Sequence, residues 1–371
     1  MRGDVMERRA HILVLPGDGI GPEVVDCGLR VLRHVATKAG IALQIEEDLI
    51  GGAADDRYGT FCRNETAARA KAADAILVGA VGGPKWDGLV IEGTPEEKDG
   101  LMRLRRELDV FAGLRPSRSY PQLLARTPFR DGLADGADVV VLRELCGGSP
   151  FAMPRGIREG ADGRLEGFDT NLYTSGEVER IARVGFALAE RRGGRLASVE
   201  KSNVMESGAL WRRVVAEVGA REFPNVALSH LYADNAAYQM IREPRRFDVI
   251  LADNIFGDLL SDLAAVYAGS LGMLPSASLP GLPAPGAPIS PGIYEPVHGS
   301  APDIAGQGIA NPLGTILSVG MLLDYGLGRP DLARTIEAAV TRTLQHAELT
   351  PDLGGSSGSA DLTAAVIANL A

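Results

Sequence analysis

Short β-branched runs recur along this chain, and helical patterns separate most of them. "HILVL" leads into a helix over roughly 22–38, and "IALQIEE", a second helix and "AILVGA" follow. "DVVVLREL", "RLASVEKS", "VALSHLYAD" and "FDVILADN" continue the alternation, each before a helical or arm-like segment. Strands and helices in this order predict an α/β fold with a largely parallel sheet covered by helices. In "SGEVERIARVGFALAERR", Ser175 can cap, Glu177 sits in the first turn and the apolar residues fall at helical spacing, before Gly193–Gly194.

Two stretches break the pattern. Residues 151–172 are polar and Gly-rich and read as an extended arm or hairpin. Residues 275–292 are dense in Pro and Gly and read as a surface loop. At 371 residues, two domains are the natural expectation. An apolar content of 45% with 23% charged residues is ordinary for a globular protein. A net charge of −10 argues against nucleic acid or an anionic membrane as partner. No apolar run reaches the roughly 18 residues of a membrane span, and "MRGDVMERRA" lacks the apolar core of a signal peptide, so a cytoplasmic location is expected. Cys27, Cys62 and Cys146 are too scattered for a disulfide framework or a zinc pattern.

The first strand runs into Gly17, Gly19 and Gly21. A dinucleotide fingerprint needs G-x-G-x-x-G, and here the third glycine comes one position early and Pro22 follows. Asp18 would also repel a phosphate. A tight turn ending in Pro at a helix start is the better reading.

The stretch "ADNIFGDLLSDLA" says more. Asp258 and Asp262 are four apart on one helix face, among Ile255, Phe256, Leu259, Leu260 and Leu263, so the helix reads as mostly buried. Paired carboxylates there want a cation, and all-oxygen ligation points to Mg²⁺ or Mn²⁺. Asp234 stands where a strand gives way to a helix, and Lys201 does the same in "VEKSNV". A lysine beside a metal in a cleft can serve as a base. Arg105, Arg115 and Arg143 suit bidentate carboxylate binding, the last two closing apolar strands. Taken singly, each of these is an ordinary surface residue.

Together, "LPGDGIGPE", "GAVGGPKWDG", "LRELCGG", "NIFGDLLSDLA", "EPVHGSAPDIAGQGIANP" and "TPDLGGSSGS" resemble the metal-dependent β-decarboxylating dehydrogenases of isopropylmalate, isocitrate, homoisocitrate and tartrate. The likeness covers nearly the whole chain and is greatest to the branch that oxidises alkyl-substituted malates. It implies a homodimer with two shared sites, a substituted malate as substrate, NAD⁺, and Mg²⁺ or Mn²⁺. Arg105, Arg115 and Arg143 match the substrate-carboxylate arginines, Asp234, Asp258 and Asp262 the metal carboxylates, and Lys201 the base. Asp258 also faces substrate, and Leu101 with Met102 keeps an apolar pocket for an alkyl group. The cofactor pocket falls on Glu295 to Asn311. Asp303 and Ile304 lie at the adenosine ribose, His298, Gly299, Ser300, Ala301 and Asn311 line the adenine and phosphate side, and Ile20 reaches the nicotinamide. Lys201 and Asp234 come from the neighbouring subunit. Residues 1–110 with 269–371 form the NAD-binding domain, and 111–268 carries the dimer contacts, the arm and most metal ligands.

The sequence departs from that pattern after the Arg-Glu-Leu strand end. Where the family resembles Thr-Gly-Gly-Ile-Tyr-Phe-Gly, this chain reads "CGGSPFA", and Pro150 falls on the tyrosine that helps protonate the enol. Proline has no hydroxyl and no N–H to offer. Tyr173 matches a different tyrosine, near the arm. Lys98 could receive an anionic substrate group, but solvent is its expected environment.

Overall fold

The computed structural model describes residues 9–89 and 99–370, so Lys98 lies outside the described residues. The strands are β1 Ala10–Gly17, β2 Leu43–Glu47, β3 Ala75–Ala80, β4 Ala112–Arg118, β5 Asp138–Glu144, β6 Gly156–Glu159, β7 Leu165–Phe168, β8 Arg195–Glu200, β9 Ala227–Tyr232, β10 Val249–Ala252, β11 Pro275–Leu279 and β12 Ile293–Pro296. Ten of them form one sheet in the order β2-β1-β3-β12-β11-β4-β5-β10-β8-β9. The outer pairs are parallel, and the antiparallel pairs β12–β11, β11–β4 and β4–β5 sit together in the middle. The fold is α/β with a mostly parallel sheet.

The longer helices are α1 Gly21–Lys38, α2 Asn64–Ala72, α3 Gly100–Glu107, α4 Ser175–Glu190, α5 Glu206–Glu222, α6 Ala233–Arg242, α7 Asn254–Ala268, α8 Leu313–Met321, α9 Pro330–His346 and α10 Ser359–Ala368. Because side chains alternate along a strand, each strand feeds two cores. Ile12, Val14, Leu114, Val140, Leu142 and Leu251 join one large core under α1, α4, α5, α8 and α9. On the other face the apolar packing is split. Leu13, Leu15, Ile76 and Val78 pack with α2 and α3, whereas Val139, Val141, Ile250 and Ala252 pack with α6 and α7. Between those two clusters lie β11, β4 and the end of β5, and there the sequence places Arg115 and Arg143.

The arm is a two-stranded antiparallel hairpin of β6 and β7, as expected. Three local readings need correction. Residues 275–279 are no loop but the fully buried strand β11. Its small side chains fit a crowded sheet centre, and Pro275 is tolerated because it opens the strand. Thr174, not Ser175, caps α4, in a capping box with Glu177. Arg115 sits inside β4 rather than closing it. The helix α7 is also less covered than its composition suggested, with Ile255 and Leu259 exposed.

Candidate active site

Alternation along β4 sends Leu114 to the large core and Arg115 to the divided face. Arg115 Nη1 donates to Asp258 Oδ1 at 2.9 Å and to Ser261 Oγ at 2.7 Å. Arg143 of β5 also donates to Asp258 through Nη1. Its Nε and Nη2 both donate to Asn254 Oδ1, at 2.9 and 2.7 Å. Arg105 arrives from α3 and donates to Glu295 of β12 at 2.6 Å. Burial, and then the charge of Arg115, pushes the Arg143 guanidinium down to about 9, with Arg105 adding to it. Three cations thus face Asp258 and Glu295, a surplus that a carboxylate ligand neutralises.

Lys201 and Asp234 form a separate pair at the ends of β8 and β9, 2.5 Å apart. The bond from Lys201 holds the Asp234 carboxyl below its ordinary value. Lys201 Nζ lies 5.7 Å from the Tyr232 ring centroid. Asp234 does not join Asp258 and Asp262: among the described residues of one chain, no three His, Cys, Asp or Glu side chains gather to hold a metal. Asp262 is left with a raised carboxyl, first through burial and then through the charge of Asp258.

The glycine turn serves the loop that follows β12. Gly17 and Gly19 both take positive φ, 74° and 57°. The Asp18 carboxylate accepts backbone N–H bonds from Gly52, Ala53 and Gly82 at 2.7–2.8 Å, so the turn carries its own anion. Ile20 N–H donates to the Ser300 carbonyl at 2.8 Å. A Cβ on Gly19 would stand 2.0 Å from that carbonyl oxygen. Ile20, Val24 and Ala310 form a small core with Ala301, Ile304 and Ala305, and Ala310 N–H donates to Glu23. Gly299 and Asp303 are exposed. Glu295 faces Arg105 instead of opening onto the loop. His298 Nδ1 pairs with the Gly299 carbonyl, while Nε2 is buried without a partner. Burial depresses the imidazole pKa, so the ring stays neutral.

The Asn311 side chain is fully committed, donating to Asp352 at 2.9 Å and accepting from Leu313 N–H at 3.0 Å. Asp352 also accepts from Ser270 and Thr350, and it ties this loop to the C-terminal segment. Leu101 packs into the core beneath α3, and Met102 is half-buried beside it.

Sequence reasoning missed Asn254, Glu144 and Asp352. Asn254 Nδ2 donates to the Gly147 carbonyl at 3.0 Å, and its N–H donates to the Tyr173 hydroxyl at 2.9 Å. Glu144, fully buried, accepts from Cys146 and Gly147 N–H at 3.1 and 2.7 Å. Glu144 and Asn254 thereby hold the loop after Arg143 from both sides. The only available signal was the adjacency of Glu144 and Asn254 to noted motif residues. Pro150 is half-buried in that loop, and its carbonyl accepts from Arg155 at 2.8 Å.

A family profile described as isocitrate/isopropylmalate dehydrogenase matches residues 11–368. A 3-isopropylmalate dehydrogenase of Caulobacter vibrioides is 50% identical over 361 residues, covering 97% of this chain and 100% of the relative. One of Pseudomonas fluorescens is 48% identical, covering 97% and 98%. Among solved structures, isocitrate dehydrogenase of Methylococcus capsulatus superposes with a TM-score of 0.83 at 30% identity, covering 97% of this chain and 99% of the other. A β-decarboxylating dehydrogenase of Thermococcus kodakarensis gives 0.76 at 35% identity, covering 97% and 96%.

Proposed function

We propose that this chain, which belongs to the isocitrate/isopropylmalate dehydrogenase family, is an NAD⁺-dependent 3-isopropylmalate dehydrogenase of leucine biosynthesis. It is a decarboxylating dehydrogenase by family and relatives. The observation that carries the finer reading is the convergence of Arg115 and Arg143 on Asp258, with Arg105 close enough to depress Arg143 further.

In this reading the arginines bind and orient the two substrate carboxylates. Lys201 of a second copy removes the C2 hydroxyl proton, and Asp234 keeps its amine in place. Asp258 and Asp262 fit a divalent ion: they offer only oxygen donors, and Asp262 stands raised by burial and its neighbour's charge. Asp234 of the second copy completes the set. Mg²⁺ or Mn²⁺ would polarise the C2 oxygen and draw electrons as CO₂ leaves. The loop from Ser300 to Asn311, with Asp303 at its exposed surface, would hold NAD⁺ for hydride transfer. The division into 1–110 with 269–371 and 111–268 is supported by a strand order that keeps β4, β5, β10, β8 and β9 together on one side. A homodimer is supported by the separation of Lys201 and Asp234 from the arginines. No described helix is long and apolar enough to cross a membrane, and the likeness to biosynthetic dehydrogenases supports a cytoplasmic location.

NADH formation, followed by absorbance with Mg²⁺ or Mn²⁺, tests the assignment on 3-isopropylmalate, malate, isocitrate, tartrate and larger 3-alkyl- and 3-arylmalates. Fastest turnover of 3-isopropylmalate, raised further by Pro150→Tyr, is the expected result. A second reading, the same chemistry on another substituted malate, is favoured by Pro150 itself. If a bulkier malate is fastest and Pro150→Tyr harms turnover, that reading replaces the first. A chain that binds malates without turning any over is a third outcome, and it sinks both.

A further inference from the structure

A wide cavity lies behind the arginines, on the opposite face of the same strands. It measures about 640 Å³, within the range of small-molecule sites. Its floor is Leu114, Pro116 and Val140, and the end of α4, the loop 282–287 and α9 form its walls. A π-helical turn, Leu322–Gly326, joins α8 to α9 at its edge. Such turns are rare and concentrate at functional sites. This one presents Asp324 and Tyr325 to the cavity.

Of the charged groups lining it, Arg192 pairs with Asp138 and Asp248, and Glu337 with Arg118. The side chains of Asp324, Tyr325, Arg191 and Arg334 make no hydrogen bond or ion pair among the described residues, although all four line one space. Partial burial raises the Asp324 carboxyl, and the charges of Arg334 and Arg191 act on it from a distance without contact. One unpaired carboxylate therefore faces two unpaired guanidiniums above an apolar floor. Arg191 and Arg334 are exposed at the rim, whereas Asp324 is half-buried, and a carboxylate left without a partner in a partly desolvated space favours a ligand that supplies one.

We infer that this cavity binds the zwitterion of an α-amino acid with an apolar side chain. The ligand ammonium meets Asp324, the carboxylate meets Arg191 and Arg334, and the side chain covers Leu114, Pro116 and Val140. A dicarboxylate would fit poorly, since its second charge would face Asp324. The site is placed to act on catalysis. Leu114 and Pro116 flank Arg115 on β4, and Val140 lies three residues before Arg143 on β5. Binding on one face of these strands thus bears on the arginines of the other, and any such coupling is reciprocal.

Isothermal titration calorimetry of the full chain tests this without reference to the catalysed reaction. The probes are L-leucine, L-methionine and L-phenylalanine, with L-leucinamide and 4-methylpentanoate each lacking one charge. One site per chain is expected, with binding weakened about tenfold by Asp324→Asn, by Arg334→Gln and by removal of either ligand charge. Asp324→Asn and Arg334→Gln alter unpaired side chains, so thermal melts should match the parent. Three results overturn the inference: no saturable heat up to about 10 mM of any amino acid, equal binding of the one-charge analogues, or affinity unchanged in both variants. Should 3-isopropylmalate not be the substrate, the binding result stands unaffected.

Discussion

Asn254 grips Arg143 at two points, its Oδ1 accepting from both Nε and Nη2 of the guanidinium. The asparagine is itself fixed, through Gly147 and Tyr173, so Arg143 keeps one terminal nitrogen for Asp258. A hydrogen bond to a charged group is worth about 1.5–3 kcal/mol. Asn254→Ala is therefore expected to lower kcat/KM for the malate about 10- to 100-fold, mostly through KM. Steady-state kinetics beside a thermal melt decide it, and an unchanged KM would mean that Arg143 needs no holding.

The Arg105–Glu295 pair joins the helix α3 to the strand that leads into the loop 297–311, with side chains only 13% and 10% exposed. Removing one partner of a buried pair costs on the order of 3 kcal/mol, because the other charge is stranded. Glu295→Gln should shift the urea midpoint downward and raise KM for both malate and NAD⁺. Replacing both residues with neutral ones should cost less than the sum of the single changes, which a double-mutant cycle in urea measures.

Burial pushes the Glu144 carboxyl from an ordinary 4.5 up to about 7, against the pull of its two backbone N–H bonds. Between those values the folded protein holds a proton that the unfolded chain has released. Stability from this group is therefore complete below pH 4.5 and is lost as pH rises toward 7. Glu144→Gln should flatten that fall in the urea midpoint between the two pH values. A wild-type curve that instead climbs relative to the variant over that window would reverse the sign and refute the argument.

Lys201 and Asp234 stand apart from the arginines, and exposed apolar groups lie near them in the chain and on α7: Val204 is 71% exposed and Leu259 66%. A second copy covering this surface would bring Lys201 to the arginines. Leu259→Arg should convert a dimer to a monomer by light scattering and abolish turnover, with each monomer still folded by circular dichroism. A monomer retaining full activity would end the shared-site reading.

The fold was readable because alternation and turn residues are local signals. "HILVL" and "DVVVLREL" announce strands whatever surrounds them. The glycine turn was identified by its failed spacing, and Asp18 satisfying three backbone donors explains why no phosphate is needed there. The strand "PSASL" was missed because its composition is that of a loop, and only its place between β4 and β12 makes it sheet. Asn254 and Glu144 were missed for another reason. Each acts by orienting a neighbour's atoms, a relationship of angles that residue type and spacing do not record. Thr174 rather than Ser175 caps α4 because the choice rests on which backbone leaves the helical region first.

The insertion of β12 between β3 and β11 has a consequence for biosynthesis. Ile76 and Leu77 of the fully buried β3 pair with Ile293 and Tyr294, which leave the ribosome more than two hundred residues later. At ordinary rates of synthesis that is a wait of roughly 10–40 s. Throughout it, the N-terminal strands present an apolar, unpaired edge, the template on which chains join to one another. Crowding of nascent copies on one message should therefore be the most hazardous moment in this protein's life, and a chaperone that shields β3 would matter more than one that acts on the released chain.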